Sequence, residues 1–373
     1  SVFAACGDKT SGAATYTFQD YTSGNPNTWN PHTYQSVEDG YIMGYTQMGL
    51  YDFVLNGDKS GYEVVPEMAS AMATDVTAQY KGQYGIPSDA KDGDGYAYKI
   101  PLNTAAKWDD GTAIKAEDWV YSAEQLLNSE MQNYRASTMF EGQLVYANAK
   151  NYFQSKAPIY TPISADGEVL TDVADDVQRY FSLTKEIPFY GLSLNTIYYE
   201  YGYGPFVAEK EAIDALLGEG AAVKADTYME ELADLDNGYG FFAKNEETAL
   251  KILAIVNCLD VVLGADSAED LTTAGDLDYF AFYVSGYGAE VKWDTVGIKA
   301  TGEYELTIML ESPVKGFYLY YNLASPWLVK RDMYEANKVK AEGSEVYSST
   351  YCTTVNNTPS YGPYKLTRFQ LDK

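Results

Sequence analysis

Between residues 97 and 127 the hydrophobic period of the chain changes from two to about 3.6. Tyr98, Ile100 and Leu102 alternate with Ala97, Lys99 and Pro101, the rhythm of a half-buried strand. Pro101 has no N–H for a ladder, so an edge or a bulge is expected there. Asp109-Asp110-Gly111 then predicts a tight turn, with glycine supplying the positive φ. Beyond it Trp119, Val120, Ala123, Leu126 and Leu127 fall on one helical face. Glu117 and Asp118 occupy the first turn, where the helix macrodipole favours acids.

Elsewhere the pattern is punctuated in the same way. Tyr304 to Leu310 alternates cleanly and predicts a second strand. Tyr16 to Asp20 reads as a short strand, Asn25-Pro26-Asn27 as a turn, and Trp29-Asn30-Pro31-His32 as the start of a loop. Ile42 to Tyr51 is apolar and helix-like, and a new strand begins at Tyr51-Asp52. Helical patterns return at Ala208–Leu217, Asp226–Leu235 and Glu246–Leu263. The longest apolar stretch, Ala249 to Leu263, is broken by Lys251, Asn257 and Asp260 and stops at Gly264. It falls short of the roughly 18 apolar residues that a membrane span requires. Asp92-Gly93-Asp94-Gly95 lacks the full spacing and the closing glutamate of a calcium loop, and predicts a hairpin turn.

A chain of 373 residues exceeds one ordinary core and suggests two or more domains. Its formal charge of −27 argues against nucleic acid, because phosphate contacts need Lys and Arg. It argues equally against docking on anionic lipid by charge. The 36 tyrosines give large contact area with a polar tip, which suits sugar and peptide surfaces. His32 is the only histidine, so any Ser-His-Asp or Cys-His hydrolase would have to use it. A zinc site of several histidines is excluded, and nickel or haem capture by histidine is disfavoured. No glycine-rich nucleotide loop is present. Carboxylate pairs such as Asp109/Asp110, Asp175/Asp176, Glu230/Glu231 and Glu246/Glu247 are expected by chance among 53 acidic residues. The expectation is therefore a protein that is not an enzyme and has no cofactor and no metal.

Three cysteines do not make a disulfide framework. Cys6 follows Phe3-Ala4-Ala5 and precedes Gly7, like the end of a bacterial lipoprotein signal. Residues 1–6 then read as a signal remnant ending in the lipid-anchor Cys6. Cys258 lies in an apolar helical pattern and reads as a buried thiol. An oxidising compartment would permit a Cys258–Cys352 bridge.

The run from Lys107 to Ser122 resembles a family signature, K-W-(S/D)-D-G-x-x-(hydrophobic)-x-A-x-D-(aromatic)-V-(Y/F)-S. It is that of the family 5 extracellular solute-binding proteins, the oligopeptide and dipeptide receptors of bacterial ABC importers. Further blocks resemble the same family: Trp29 to His32, Gly49-Leu50-Tyr51-Asp52, Val65 to Ala69, Tyr304 to Val314, Pro326 to Met333, and Tyr361-Gly362-Pro363-Tyr364-Lys365-Leu366. The resemblance covers about 20–145 and 290–373. The chain departs from it at Phe3, where the family has Leu, and at Lys115, where Thr or Ser would cap the helix. Residues from about 150 to 290 do not fit the family spacing and read as a mostly helical insertion, with an aromatic run from Tyr198 to Phe206.

The resemblance implies an α/β fold of the two-lobed periplasmic-binding-protein type, the large peptide-binding form, here mostly the first lobe with mixed sheets. Residues 7–50 and 345–373 would form an incomplete first sub-domain of lobe I, and 51–344 the second, carrying the insertion at about 150–290. In the family the G-P-Y-K-L block falls before the middle, whereas seven residues follow Leu366 here, so lobe II is expected to be absent from this chain. Trp108 and Trp119 are expected in the core. The implied function is a substrate-binding receptor that captures peptides in an inter-lobe cleft and delivers them to ABC permease subunits. It would be a monomer, held by its lipid to the outer face of the cytoplasmic membrane. Gln35, Ser36 and Val37 would pair with an extended ligand by main-chain bonds, and Tyr134 would stand in the cleft wall. Rival readings are an oligosaccharide receptor of the same fold, an exported hydrolase, or a surface adhesion protein.

Overall fold

The computed structural model describes residues 19–164, except 23 and 157, together with 280–340 and 347–370. Of the intervening stretch it describes 167–170, 211, 214, 219–220, 242–243, 245–247 and 249–250. In chain order the described elements are α1 (Val37–Thr46), β1 (Tyr51–Leu55), β2 (Tyr62–Pro66), β3 (Thr74–Asp75), α2 (Thr77–Tyr80), β4 (Ala97–Pro101) and α3 (Ala116–Leu126). Then come α4 (Ala149–Phe153), β5 (Pro158–Ser164), β6 (Phe242–Ala243), β7 (Phe280–Tyr287), β8 (Ile298–Gly302) and β9 (Glu305–Met309). The last are α5 (Phe317–Leu323), α6 (Arg331–Ala336), β10 (Lys338–Lys340) and β11 (Tyr347–Ser349). The chain divides into two compact units, Ser1–Gln154 with Val291–Lys373, and Ser155–Glu290.

The larger unit is built on an antiparallel sheet of order β3-β4-β9-β8. The two strands with alternating sequence pair directly, Tyr98 with Ile308 and Ile100 with Leu306. This register puts all four side chains into the same buried layer. Pro101 is the last residue of β4, beyond the two-residue β3, so its missing N–H costs the ladder nothing. Helix α3 lays Trp119, Ala123 and Leu126 into this core. Trp119 meets Trp327 edge to face, with ring centroids 5.0 Å apart.

The sequence pattern assigned α3 one apolar face, but the helix is buried on two. Tyr121 points into a second cluster with Trp29, Met43, Met131, Val329, Tyr334, Tyr351 and Cys352. Ser122 links the two sides: its hydroxyl donates to the Asp118 carbonyl at 2.6 Å and accepts the Val329 N–H at 2.9 Å. Cys352 is a free, buried thiol, and burial pushes it well up from the ordinary thiol range. Cys6 and Cys258 lie outside the described residues.

Two local expectations change. The helix expected from Ile42 spans Val37–Thr46, because Ser36 and Asp39 start it earlier through a capping box. Gln19 and Asp20 carry no strand, and 16–18 lie outside the described residues. In the smaller unit, β5, β7 and β6 form one sheet, antiparallel between β5 and β7 and parallel between β7 and β6. The positions described within two of the expected helices, 211, 214, 246–247 and 249–250, are helical. The rest of those helices, the segment 226–235 and the aromatic run 198–206 lie outside the described residues.

Candidate functional site

The acidic turn of the signature is a structural clamp. Gly111 has φ +89°, as the turn requires. Asp109 accepts the Ser360 N–H at 3.1 Å and pairs with Lys365 at 2.6 Å. Asp110 accepts the Thr112 N–H at 2.9 Å and pairs with Lys330 at 3.1 Å. These bonds, the Thr112 N–H foremost, hold Asp110 down to about 2. Both carboxylates are thus committed to the 330–365 stretch. Trp108 and Trp119 are buried. At Lys115 only half of a capping box forms, because an ammonium cannot accept: Asp118 accepts the Lys115 N–H at 2.8 Å. The Asp92–Gly95 turn likewise uses its acids on main-chain donors, Asp92 on Ala78 and Asp94 on Lys91.

A different site emerges around the Trp29–Tyr34 loop. Asp39, buried in α1, organises this loop from below. Its Oδ1 accepts the N–H groups of Asn27 and Thr28, and its Oδ2 those of Gln35 and Ser36, at 2.8–3.2 Å. Burial alone would raise its pKa, but the four N–H groups outweigh burial and lower it. His32 anchors the loop from inside. Its Nε2 lies 2.9 Å from the Trp327 carbonyl and its Nδ1 3.2 Å from the Tyr334 hydroxyl. A carbonyl only accepts, so Nε2 carries the proton and Tyr334 donates to Nδ1. Burial pushes His32 down to about 4, so the imidazole is neutral at physiological pH.

The loop forms one wall of a cleft of about 110 Å³, lined by Pro31, Tyr34, Arg135, Thr138, Tyr146 and Trp327 among others. Arg135 stands at its edge. Its N–H donates to the His32 carbonyl at 3.0 Å, which fixes its backbone to the loop. Its guanidinium lies over the Tyr34 ring, 3.7 Å from the centroid, and 5.8 Å from the Tyr134 ring centroid. The Arg135 Nε is buried without a hydrogen-bond partner among the described residues.

The sequence-derived positions fall beside this cleft. Tyr134 is 59 % exposed and flanks Arg135. Gln35, Ser36 and Val37 follow directly on Tyr34. Val37 is 75 % exposed. The N–H groups of Gln35 and Ser36 are both taken by Asp39, and Ser36 Oγ accepts the Asp39 N–H at 3.1 Å. An incoming strand would therefore find the Gln35 carbonyl and the Val37 N–H, the latter at the first helical position and without an intrahelical acceptor. Sequence reasoning missed Asp39, although Ser36-Val37-Glu38-Asp39 is a capping-box pattern. It also missed Arg135, one of four arginines in the chain and adjacent to the tyrosine that was singled out.

No family model matches the chain, and no curated protein matches it. Solved structures do. The oligopeptide ABC transporter substrate-binding domain from Bacillus anthracis is similar at 13 % identity and a TM-score of 0.43, over 94 % of this chain and 35 % of that one. A periplasmic oligopeptide-binding protein from Borrelia burgdorferi gives 14 % and 0.42, over 94 % and 36 %. The Escherichia coli murein tripeptide binding protein MppA gives 13 % and 0.37, over 94 % and 36 %. All three carry peptide-binding or oligopeptide-transport names. The chain spans about a third of the length of these structures. No helix among the described residues is long and apolar enough to cross a membrane.

Proposed function

We propose that the larger unit is one wall of a peptide-capturing receptor that serves an ABC importer. The observation that carries this reading is the cleft above the Trp29–Tyr34 loop. It joins a guanidinium without an acid partner among the described residues to tyrosine faces, on the loop that runs into exposed Gln35 and Val37. The resemblance at Lys107–Ser122 supports it, and the strands on either side of residues 150–290 pair within one sheet. The proposal includes the sub-domain division of 7–50 with 345–373 against 51–344, the insertion at about 150–290, and a second lobe that closes the cleft. It further includes a lipid anchor at Cys6, permease partners, a monomeric state and an extracytoplasmic location. A hydrolytic role is disfavoured, because His32 is buried and both ring nitrogens are occupied.

A neutral oligosaccharide would want stacking rings without an adjacent full charge, and Arg135 puts a cation at the cleft. The charge favours a ligand that carries an anionic group. Native mass spectrometry of the full-length protein tests the reading. Co-purifying peptides are the expected result, and a bound oligosaccharide would overturn it. Cys6→Ala should release the full-length precursor from the membrane; retention would remove the anchor assignment.

A further inference from the structure

We propose that Arg135 recognises a carboxylate, so that the cleft selects ligands by an anionic group seated against its guanidinium. The inference rests on the peptide-capture reading for the nature of the ligand, and on the side chain itself for the chemistry.

The chain carries 53 acidic residues and 26 basic ones, and the cations near this part of the fold include several that hold a carboxylate. Lys330 holds Asp110 and Asp332, Lys338 holds Glu335, and Lys365 holds Asp109. Among the described residues Arg135 holds none. Stacking on Tyr34 at 3.7 Å occupies one face of the guanidinium plane. The N–H groups radiate within that plane and find no acceptor among the described residues, and Nε is withdrawn from water as well. A buried donor without an acceptor is costly, and a ligand oxygen would remove that cost. The planar fork matches a carboxylate in two parallel hydrogen bonds, geometry that a lysine does not offer. Tyr34 and Tyr134 hold the fork in place and narrow its rotamer freedom, which lowers the entropy lost on binding. The backbone bond from Arg135 to the His32 carbonyl ties this donor set to the loop that precedes Gln35–Val37. The charge therefore belongs to the same loop framework that leads into Gln35–Val37.

The test uses the arginine Nε–H signals of the whole chain, which contains only Arg135, Arg179, Arg331 and Arg368. Arg135→Lys assigns the Arg135 signal by its loss. Four probes are titrated by NMR and calorimetry: succinate, tri-alanine, tri-alanine amide and Ala-Glu-Ala amide. The Arg135 signal should move with succinate and tri-alanine and stay still with tri-alanine amide. Arg135→Gln should weaken tri-alanine binding by more than tenfold and leave the amide unchanged. A response to tri-alanine but not Ala-Glu-Ala amide assigns the group to a peptide C terminus; a response to the latter admits an acidic side chain. A signal that ignores succinate, tri-alanine and Ala-Glu-Ala amide overturns the proposal. If tri-alanine then still binds by calorimetry, the peptide reading survives without it. If succinate moves the signal while no peptide binds, the carboxylate site stands, and calorimetry of the full-length protein with tri-alanine decides the peptide reading, which falls if no binding is seen there.

Discussion

His32 donates from Nε2 to the Trp327 carbonyl at 2.9 Å, and this bond pins the Trp29–Tyr34 loop to the segment that follows α5. The ring is buried against Tyr334, whose hydroxyl supplies the Nδ1 partner. A proton added at Nδ1 would oppose that donor and would be buried without a counter-charge.

The first prediction follows from this pair. Burial holds His32 at about 4, below its ordinary 6.5. A depressed histidine leaves stability intact above 6.5 and withdraws it as pH falls through about 4, because the unfolded chain takes up the proton first. The full linkage is about 3 kcal/mol. Because the chain has a single histidine, one imidazole NMR signal reports it. That signal should show the Nε2–H tautomer at pH 7 and remain unprotonated at pH 5.5. A midpoint near 6.5 in the folded protein would refute the buried assignment.

Glu67 works against His32 over the same range. Burial first, and then nearby Asp52, raise its carboxyl to about 7, while the Gly49 N–H at 3.1 Å opposes the shift. A raised acid leaves stability intact below its unfolded value near 4.5 and withdraws it as pH climbs through about 7. Glu67→Gln retains an acceptor for Gly49 and removes the charge. It should stabilise the protein at pH 8 by about 1–2 kcal/mol, discounted for partial solvation, and do little at pH 4. Denaturant midpoints at the two pH values check this. Equal shifts at both would mean that the effect is not ionisation.

Trp119 is predicted to matter for stability and not for ligand choice. It is fully buried and packs edge to face on Trp327, whose indole N–H donates to the Trp119 carbonyl at 3.3 Å. Trp119→Ala should cost about 3–5 kcal/mol, seen as a lower denaturant midpoint. The ranking of peptides by affinity should persist in the fraction that folds. Unchanged stability with an altered ranking would move Trp119 from the core to the site.

The strand pair and the turn were legible because each rests on a local rule. Alternation at 98–102 and 304–310 fixed the face, and Gly111 fixed the turn. Burial of Tyr121 was not legible, since one helix period cannot reveal that a second cluster lies behind α3. At the site, the resemblance pointed to Gln35–Val37 and Tyr134; Gln35–Val37 follow directly on Tyr34 and Tyr134 flanks Arg135, a charge the pattern never highlighted. Arg135 gave no signal because its meaning is a missing partner, and a missing partner is a property of three-dimensional packing. Asp39 was within reach, since a capping box reads directly from sequence. Its bonds to Asn27 and Thr28 span twelve and eleven residues and were not.

Asp39 is the residue on which the loop depends. Four N–H groups converge on its two oxygens, so the carboxylate sets the path from Asn27 to Ser36 and starts α1 at once. Asp39→Ala strands those donors in a region where water has limited access. Hydrogen bonds to a charged group contribute about 1.5–3 kcal/mol each, and they share one acceptor, so the loss should be about 3 kcal/mol in all and not the sum. Asp39→Asn keeps one oxygen and should fall between. The acid's lowered pKa gives the pH signature: its contribution is present above 3.8 and is lost as pH falls below that value. The midpoint difference between wild type and Asp39→Asn should therefore shrink on acidification. The loop also carries Tyr34, on which Arg135 stacks, so tri-alanine binding should weaken in Asp39→Ala even under conditions where the chain is folded. Full binding in a folded Asp39→Ala protein would show that the cleft does not require the loop in this conformation.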